Sequence, residues 1–86
     1  MIDEQTLLSY TQEHYPDESK LIVRTLINYY ELKLKEDKTA GEIFHQQKLY
    51  DGVIELFDIL SKQIAIDLDG DASEIFIALQ SIHIKT

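Results

Sequence analysis

The stretch Ser19–Lys35, SKLIVRTLINYYELKLK, constrains the fold most, because its apolar side chains cover more of a helix than an ordinary water-facing surface leaves bare. At about 100° of turn per residue, Lys20, Arg24, Asn28, Glu31 and Lys35 fall on one polar stripe of roughly 80°. Leu21, Ile22, Val23, Leu26, Ile27, Tyr29, Tyr30, Leu32 and Leu34 occupy the remaining arc. That arc is far wider than the roughly 100° apolar stripe of a typical surface helix. The β-branched residues would suit a strand, but the length and the clean polar stripe decide for helix. The stretch therefore predicts a helix enclosed on several sides. Lys33 alone enters the apolar arc, with its ammonium reaching back to water.

Eighty-six residues suffice for one domain, 1–86, that buries roughly 60% of the surface its unfolded chain would expose. With 44% hydrophobic residues, three Gly and one Pro, the chain is too apolar to stay disordered. The absence of cysteine excludes disulfides, zinc ribbons and thiol catalysis, and suits a cytoplasmic location. The first ten residues, MIDEQTLLSY, carry acids where a signal peptide needs bases, and no apolar run approaches 18 residues, so no membrane partner is expected. Sixteen acidic against eight basic residues leave a net charge of −8, which repels nucleic acid and anionic membranes. A mimic of DNA, inhibiting a nucleic-acid-binding protein, is the alternative use of such charge. Its acids would stand in rows at phosphate spacing; here they are scattered among lysines, as on a solubilising surface.

Residues 3–15 predict a first helix with acids in its first turn, where the macrodipole favours them, and with Leu7, Tyr10, Thr11 and His14 facing inward. Pro16 punctuates and opens the next helix, 17–36. Thr39 with Glu42 forms a capping-box pattern that starts another at Ala40. From there Lys48, Asp51, Glu55, Asp58 and Lys62 make a polar stripe opposite Leu49, Tyr50, Val53, Ile54, Leu56, Phe57, Leu60 and Ile64. Carried backward, the same phase puts Phe44 on the polar stripe and Glu42 and Gln46 in the core. That conflict predicts a break near His45–Lys48, separating helices 40–46 and 48–65.

Beyond Ile64, QIAIDLD and SIHIKT alternate as strands do, whereas Asp71 and Glu74 open a helix 72–83 with Ala72, Ile75, Phe76, Leu79, Ile82 and His83 on one face. The expected fold class is all-α, a small bundle of four to five helices at 3–15, 17–36, 40–46, 48–65 and 72–83. The alternative is α+β, with a short strand or hairpin within 63–86. The expected core is Val23, Leu26, Ile27, Tyr30, Ile54, Phe57, Leu60 and Leu79.

Three aspartates at alternate positions, Asp67, Asp69 and Asp71, resemble the opening of a calcium loop, and with Glu74 they are the candidate ligands of a divalent cation. In an EF-hand loop the glycine follows the third acid and a glutamate closes the twelfth position. Here Gly70 precedes Asp71, and Ala72 and Ala78 stand at those two places, so a glycine turn before a capped helix explains the run better. His14, His45 and His83 lack the four-residue partner of a helical metal site, and the isolated glycines at 41, 52 and 70 form no phosphate loop. The serines lie outside any G-x-S-x-G elbow. No catalytic residue and no cofactor is assigned.

The expected function is non-enzymatic: a small acidic interaction module of regulatory, inhibitory or immunity type, encoded by a bacterium or its phage. Its partner would be another protein or a second copy of itself. A divalent-cation-responsive module using the 67–74 loop is the rival from another class. Ile77 and Ile84 are the candidate interface residues, because they fall on the otherwise polar side of the last helix, seven residues apart. A homodimer lets one such patch serve both subunits.

Overall fold

Helix caps written into the sequence set the element boundaries in the computed structural model, which describes residues 3–84. The elements are α1 (Glu4–His14), α2 (Pro16–Leu34), α3 (Ala40–Leu68) and α4 (Ala72–His83). Asp3 caps α1 by accepting from the Thr6 amide. Pro16 occupies the first position of α2, where its missing N–H costs nothing. Thr39 and Glu42 form the capping box of α3, each side chain bonded to the other's backbone amide. Asp71 caps α4 through the Ser73 amide at 2.9 Å.

The fold is all-α, with no strand among the described residues. The segment that alternates like a strand from Gln63 continues α3 to Leu68, and Ser81–His83 completes α4, so the α+β alternative is overturned there. The last two residues of that alternation, 85 and 86, lie outside the described residues. Helix wins because 63–68 extends a run already nucleated, adding one backbone bond per residue at little further entropy.

The helices follow one another around a ring, α2 beside α3, α3 beside α4, and α1 closing against α4 and α2. Tyr15 alone joins α1 to α2, with its amide on the Thr11 carbonyl and its carbonyl accepting from Ser19. The C-termini of α1 and α3 therefore meet the N-termini of α2 and α4 at one end of the bundle. At the opposite end of the short helices, Ser81 donates to Glu4 at 2.8 Å.

Length decides the rest. Helices α1 and α4 have 11 and 12 residues, and α3 has 29; at 1.5 Å per residue they run about 17 Å, 18 Å and 43 Å. The molecule is 45 Å long and 22 by 18 Å across, so α3 spans it end to end while α1 and α4 cover only part. The core sits under that cover: Leu7, Ile22, Leu26, Val53, Phe57, Leu60, Ile64, Ile75 and Leu79 are buried. Between residues 27 and 52 no side chain is buried. There α2 and α3 leave the bundle together as a two-helix arm, closed at its tip by the Lys35–Glu42 ion pair.

This arm corrects three expectations. The break near His45–Lys48 is absent, because α3 is helical from Ala40 to Leu68; helices 40–46 and 48–65 are one. Phase matters only where a core must be matched, and no second layer covers this stretch. Phe44 is 65% exposed on the polar side, with the Lys48 ammonium 5.2 Å from its ring centre, and Glu42 serves the cap and the ion pair rather than a core. Secondly, α2 is not enclosed: Ser19, Ile22 and Leu26 are its buried residues, whereas Leu21, Val23, Ile27 and Leu34 are exposed. Thirdly, Val23 and Ile27 leave the expected core, at 48% and 53% exposure, Tyr30 and Ile54 only pack half-buried against it, and Leu7, Ile22, Val53, Ile64 and Ile75 join it.

The α3 terminus carries a strain that sequence did not advertise. Asp69 adopts φ 52°, ψ 48°, the left-handed region, and the Gly70 amide bonds the Ala65 carbonyl at 2.9 Å. A side chain in that region costs roughly 1–2 kcal/mol, less for Asp than for most residues. Asp69→Gly is expected to stabilise the fold by about 0.5 kcal/mol once glycine's larger unfolded-state entropy is set against the relief. Urea unfolding of the two proteins side by side measures the gain.

Candidate protein-binding surface

On α2, Val23, Ile27, Tyr30 and Leu34 recur at spacings of four, three and four, which aligns them on one helix face. Helix α1 is too short to cover them all. Leu34 is 80% exposed, and Tyr30 is half-buried against the edge of the core. On α3, Ile43 and Tyr50 share a face two turns apart; Ile43 is exposed and Tyr50 half-buried. The two helices of the arm are held together by aromatic contact. Tyr29 lies 5.4 Å from Tyr50 and 5.2 Å from Tyr30 by ring centres, and the Lys33 ammonium stands 5.8 Å from both Tyr29 and Tyr30. Lys33 thus enters the apolar arc as its position predicts, and the rings attract its charge.

Three further apolar areas lie away from that face. Leu21, Leu49, Leu56 and Ile59 line a groove of about 360 Å³ between α2 and α3, floored by Gly52, where a methyl group would meet nothing within 4 Å. Ile59 and Ile66, seven residues apart on α3, form an exposed ridge, with Ile66 at 76% exposure. Ile77 is exposed on α4, beside Phe76 and Ser73 in the shallow groove against α3. Ile84, the other expected interface residue, is the C-cap of α4 and packs half-buried on the core, because the helix ends before it and its side chain leaves the helical phase. The two isoleucines therefore do not share an exposed face.

The acidic run has a different role in the fold. Asp67 sits on the last turn of α3 at the junction end. One of its oxygens accepts from the Tyr10 hydroxyl at 3.0 Å and from the Tyr15 hydroxyl, and the other accepts from Gln63 at 3.2 Å. Asp69 is the left-handed residue, Asp71 caps α4 and Glu74 lies in that helix's first turn. The four carboxylates do not converge: among the described residues no group of three or more His, Asp or Glu side chains is placed to hold a metal ion. His14, expected to face inward, is exposed and stacks on Tyr10 at 4.3 Å. His83 packs on Phe57 at 5.5 Å with its Nδ1 3.0 Å from the Leu79 carbonyl oxygen.

Electrostatics at the junction follow from those bonds. Hydrogen bonds from Tyr15 and, after the opposing effect of desolvation, from Tyr10 hold the Asp67 carboxyl below its ordinary value of 3.8. The bond to Asp67, aided by desolvation, pushes the Tyr15 hydroxyl up to about 12, and desolvation followed by Asp67 raises Tyr10. A lowered carboxyl pKa adds stability above its unfolded value, lost as pH falls through the folded one; a raised hydroxyl pKa adds stability below 10, lost as pH rises toward 12. The latch between α1 and α3 is thus expected to be intact from about pH 4 to pH 10. In Asp67→Asn the acid and alkaline limbs of the melting profile should flatten relative to the parent. Identical limb shapes in the two proteins would assign the pH dependence to other groups.

Sequence reasoning proposed an interface on α4 and did not single out the exposed apolar residues of the arm. One signal was available: the misfit of Phe44 with the polar stripe, which marks an exposed apolar residue as readily as a kink. No helix among the described residues is long and apolar enough to cross a membrane. No family model, no curated protein and no solved structure matches the chain.

Proposed function

We propose that the protein is a non-enzymatic protein–protein interaction module of regulatory type, working through the apolar side chains it leaves in water. The observation that carries this reading is the set Leu21, Val23, Ile27, Leu34, Ile43, Phe44, Ile59, Ile66, Leu68 and Ile77, all large, apolar and exposed in a chain of 86 residues. Single exposed apolar residues are ordinary, but Val23, Ile27 and Leu34 share one face of α2 and Ile59 and Ile66 one face of α3, and contiguous patches of that kind mark interaction sites. The groove between α2 and α3 is open, and Leu21, Leu49, Leu56 and Ile59 make up much of its lining.

Position-specific photo-crosslinking in cells that express the chain tests the reading. A photoreactive residue at Phe44 or Ile43 is expected to give an adduct of one defined mass, whereas the same residue at the exposed polar positions Lys20 or Asp58 gives none. Equal diffuse labelling from all four positions would overturn it.

A further inference from the structure

We infer that the two-helix arm is a dimerisation surface whose occupant is the same arm of a second copy, laid antiparallel across it. This rests on the interaction reading and names both its surface and its partner. In the lower half of the molecule, α2 and α3 are roofed by a second pair of helices, α1 and α4. In the upper half the roof stops, yet the apolar face continues through Ile27, Tyr30 and Leu34 on α2 and Ile43 and Tyr50 on α3. The missing layer is a pair of antiparallel helices about 20 Å long, the length of the 13 residues 40–52 of α3. The arm is itself such a pair. Two copies related by a twofold axis would each supply the layer the other lacks, giving a central four-helix bundle with two helices from each chain.

Charge selects the arm over the other apolar areas. Two copies each carrying −8 repel wherever their acids meet. Residues 27–52 hold five acids, Glu31, Glu36, Asp37, Glu42 and Asp51, against four bases, Lys33, Lys35, Lys38 and Lys48. The rest of the chain holds eleven acids against four bases. The arm is therefore the nearly neutral part of a strongly acidic molecule, and the part where like chains approach at least cost. In the antiparallel arrangement the arm's tip, with Lys35 and Lys38, comes to rest against the start of the partner's α1, where Asp3 and Glu4 lie. The outer groove shares Lys48, Leu49 and Gly52 with this segment but continues no face roofed by α1 and α4, and the Ile59–Ile66 ridge lies outside the segment.

Area sets the strength. Two helices side by side span about 20 Å, so the open face has a footprint on the order of 400 Å² per copy. A standard interface buries about 800 Å² per partner, and weaker, transient ones bury less. The dimer is accordingly a weak, reversible one.

Sedimentation equilibrium of the full chain, from about 1 to about 500 µM so that weak association is covered, tests the assignment. The apparent mass is expected to rise from the 10.0 kDa of one chain toward twice that value. Leu34→Asp and Ile43→Asp each place a charge at an exposed position of the arm, and each should weaken the dimer by about tenfold or more, like a charge desolvated without a partner. Their melting temperatures at the lowest concentration should match the parent's, showing that the monomer is undamaged. Ile77→Asp, on α4, should leave the dissociation constant unchanged. A monomer throughout the range, or a dimer that Leu34→Asp leaves intact, overturns the assignment. A dimer dissolved by Ile77→Asp alone overturns the arm while sparing the interaction reading, as does a monomer whose photo-adduct at Phe44 contains a different protein.

Discussion

Phe57→Ala is expected to remove about 3–5 kcal/mol of stability, enough to leave a substantial part of the chain unfolded at room temperature. Phe57 is fully buried, and its ring lies 5.5 Å from the His83 ring. It stands in the half of the molecule where all four helices contribute to the core, with Leu7 of α1, Ile22 of α2, Leu60 of α3 and Leu79 of α4. Truncation leaves a cavity whose walls are anchored to four separate helices, which limits collapse into it. Loss of far-ultraviolet circular dichroism in urea, compared with the parent, measures the change. A midpoint close to the parent's would mean that the bundle does not close around this residue.

The second large effect is a contrast along α2. Ile22→Ala should cost about 2–5 kcal/mol, because Ile22 is fully buried. Ile27→Ala should stay within about 1 kcal/mol in the monomer, since the side chain is 53% exposed and truncation opens no enclosed cavity. The two residues are both isoleucine on one helix, so helix propensity cancels between them. If the arms pair as inferred, protein concentration adds a second distinction. Ile27→Ala then gains a penalty that depends on protein concentration, and Ile22→Ala does not. Denaturation of both variants at low and high concentration separates the two sources of stability.

How much was legible follows from which residues act alone and which act by neighbours. Pro16, the Thr39–Glu42 capping box and Asp71 announce helix starts because each satisfies or removes amides within its own turn. Phe57, Leu60 and Leu79 announce the core because period and hydrophobicity coincide on their helices. The arm was hidden, since its residues have the composition of a core. Val23 and Ile27 differ from Ile22 and Leu26 only in what lies opposite, and that depends on the short reach of α1. Tyr10, Tyr15 and Asp67 are drawn together across 52 and 57 positions of chain, a pairing that no spacing rule connects.

The sequence by itself determined the helical character up to Ile64, the helix starts near Pro16, Ala40 and Ala72, the net acidic charge and the lack of cysteine, because propensity, capping, charge and composition are local or summed properties. Only the tertiary structure decided that α3 runs unbroken from Ala40 to Leu68, that α1 and α4 roof half of the α2–α3 pair, and that the other half keeps apolar side chains in water. The physical reason is that burial belongs to pairs of elements. A helix's own periodicity says which face is apolar, whereas the lengths and positions of its neighbours decide how much of that face is covered.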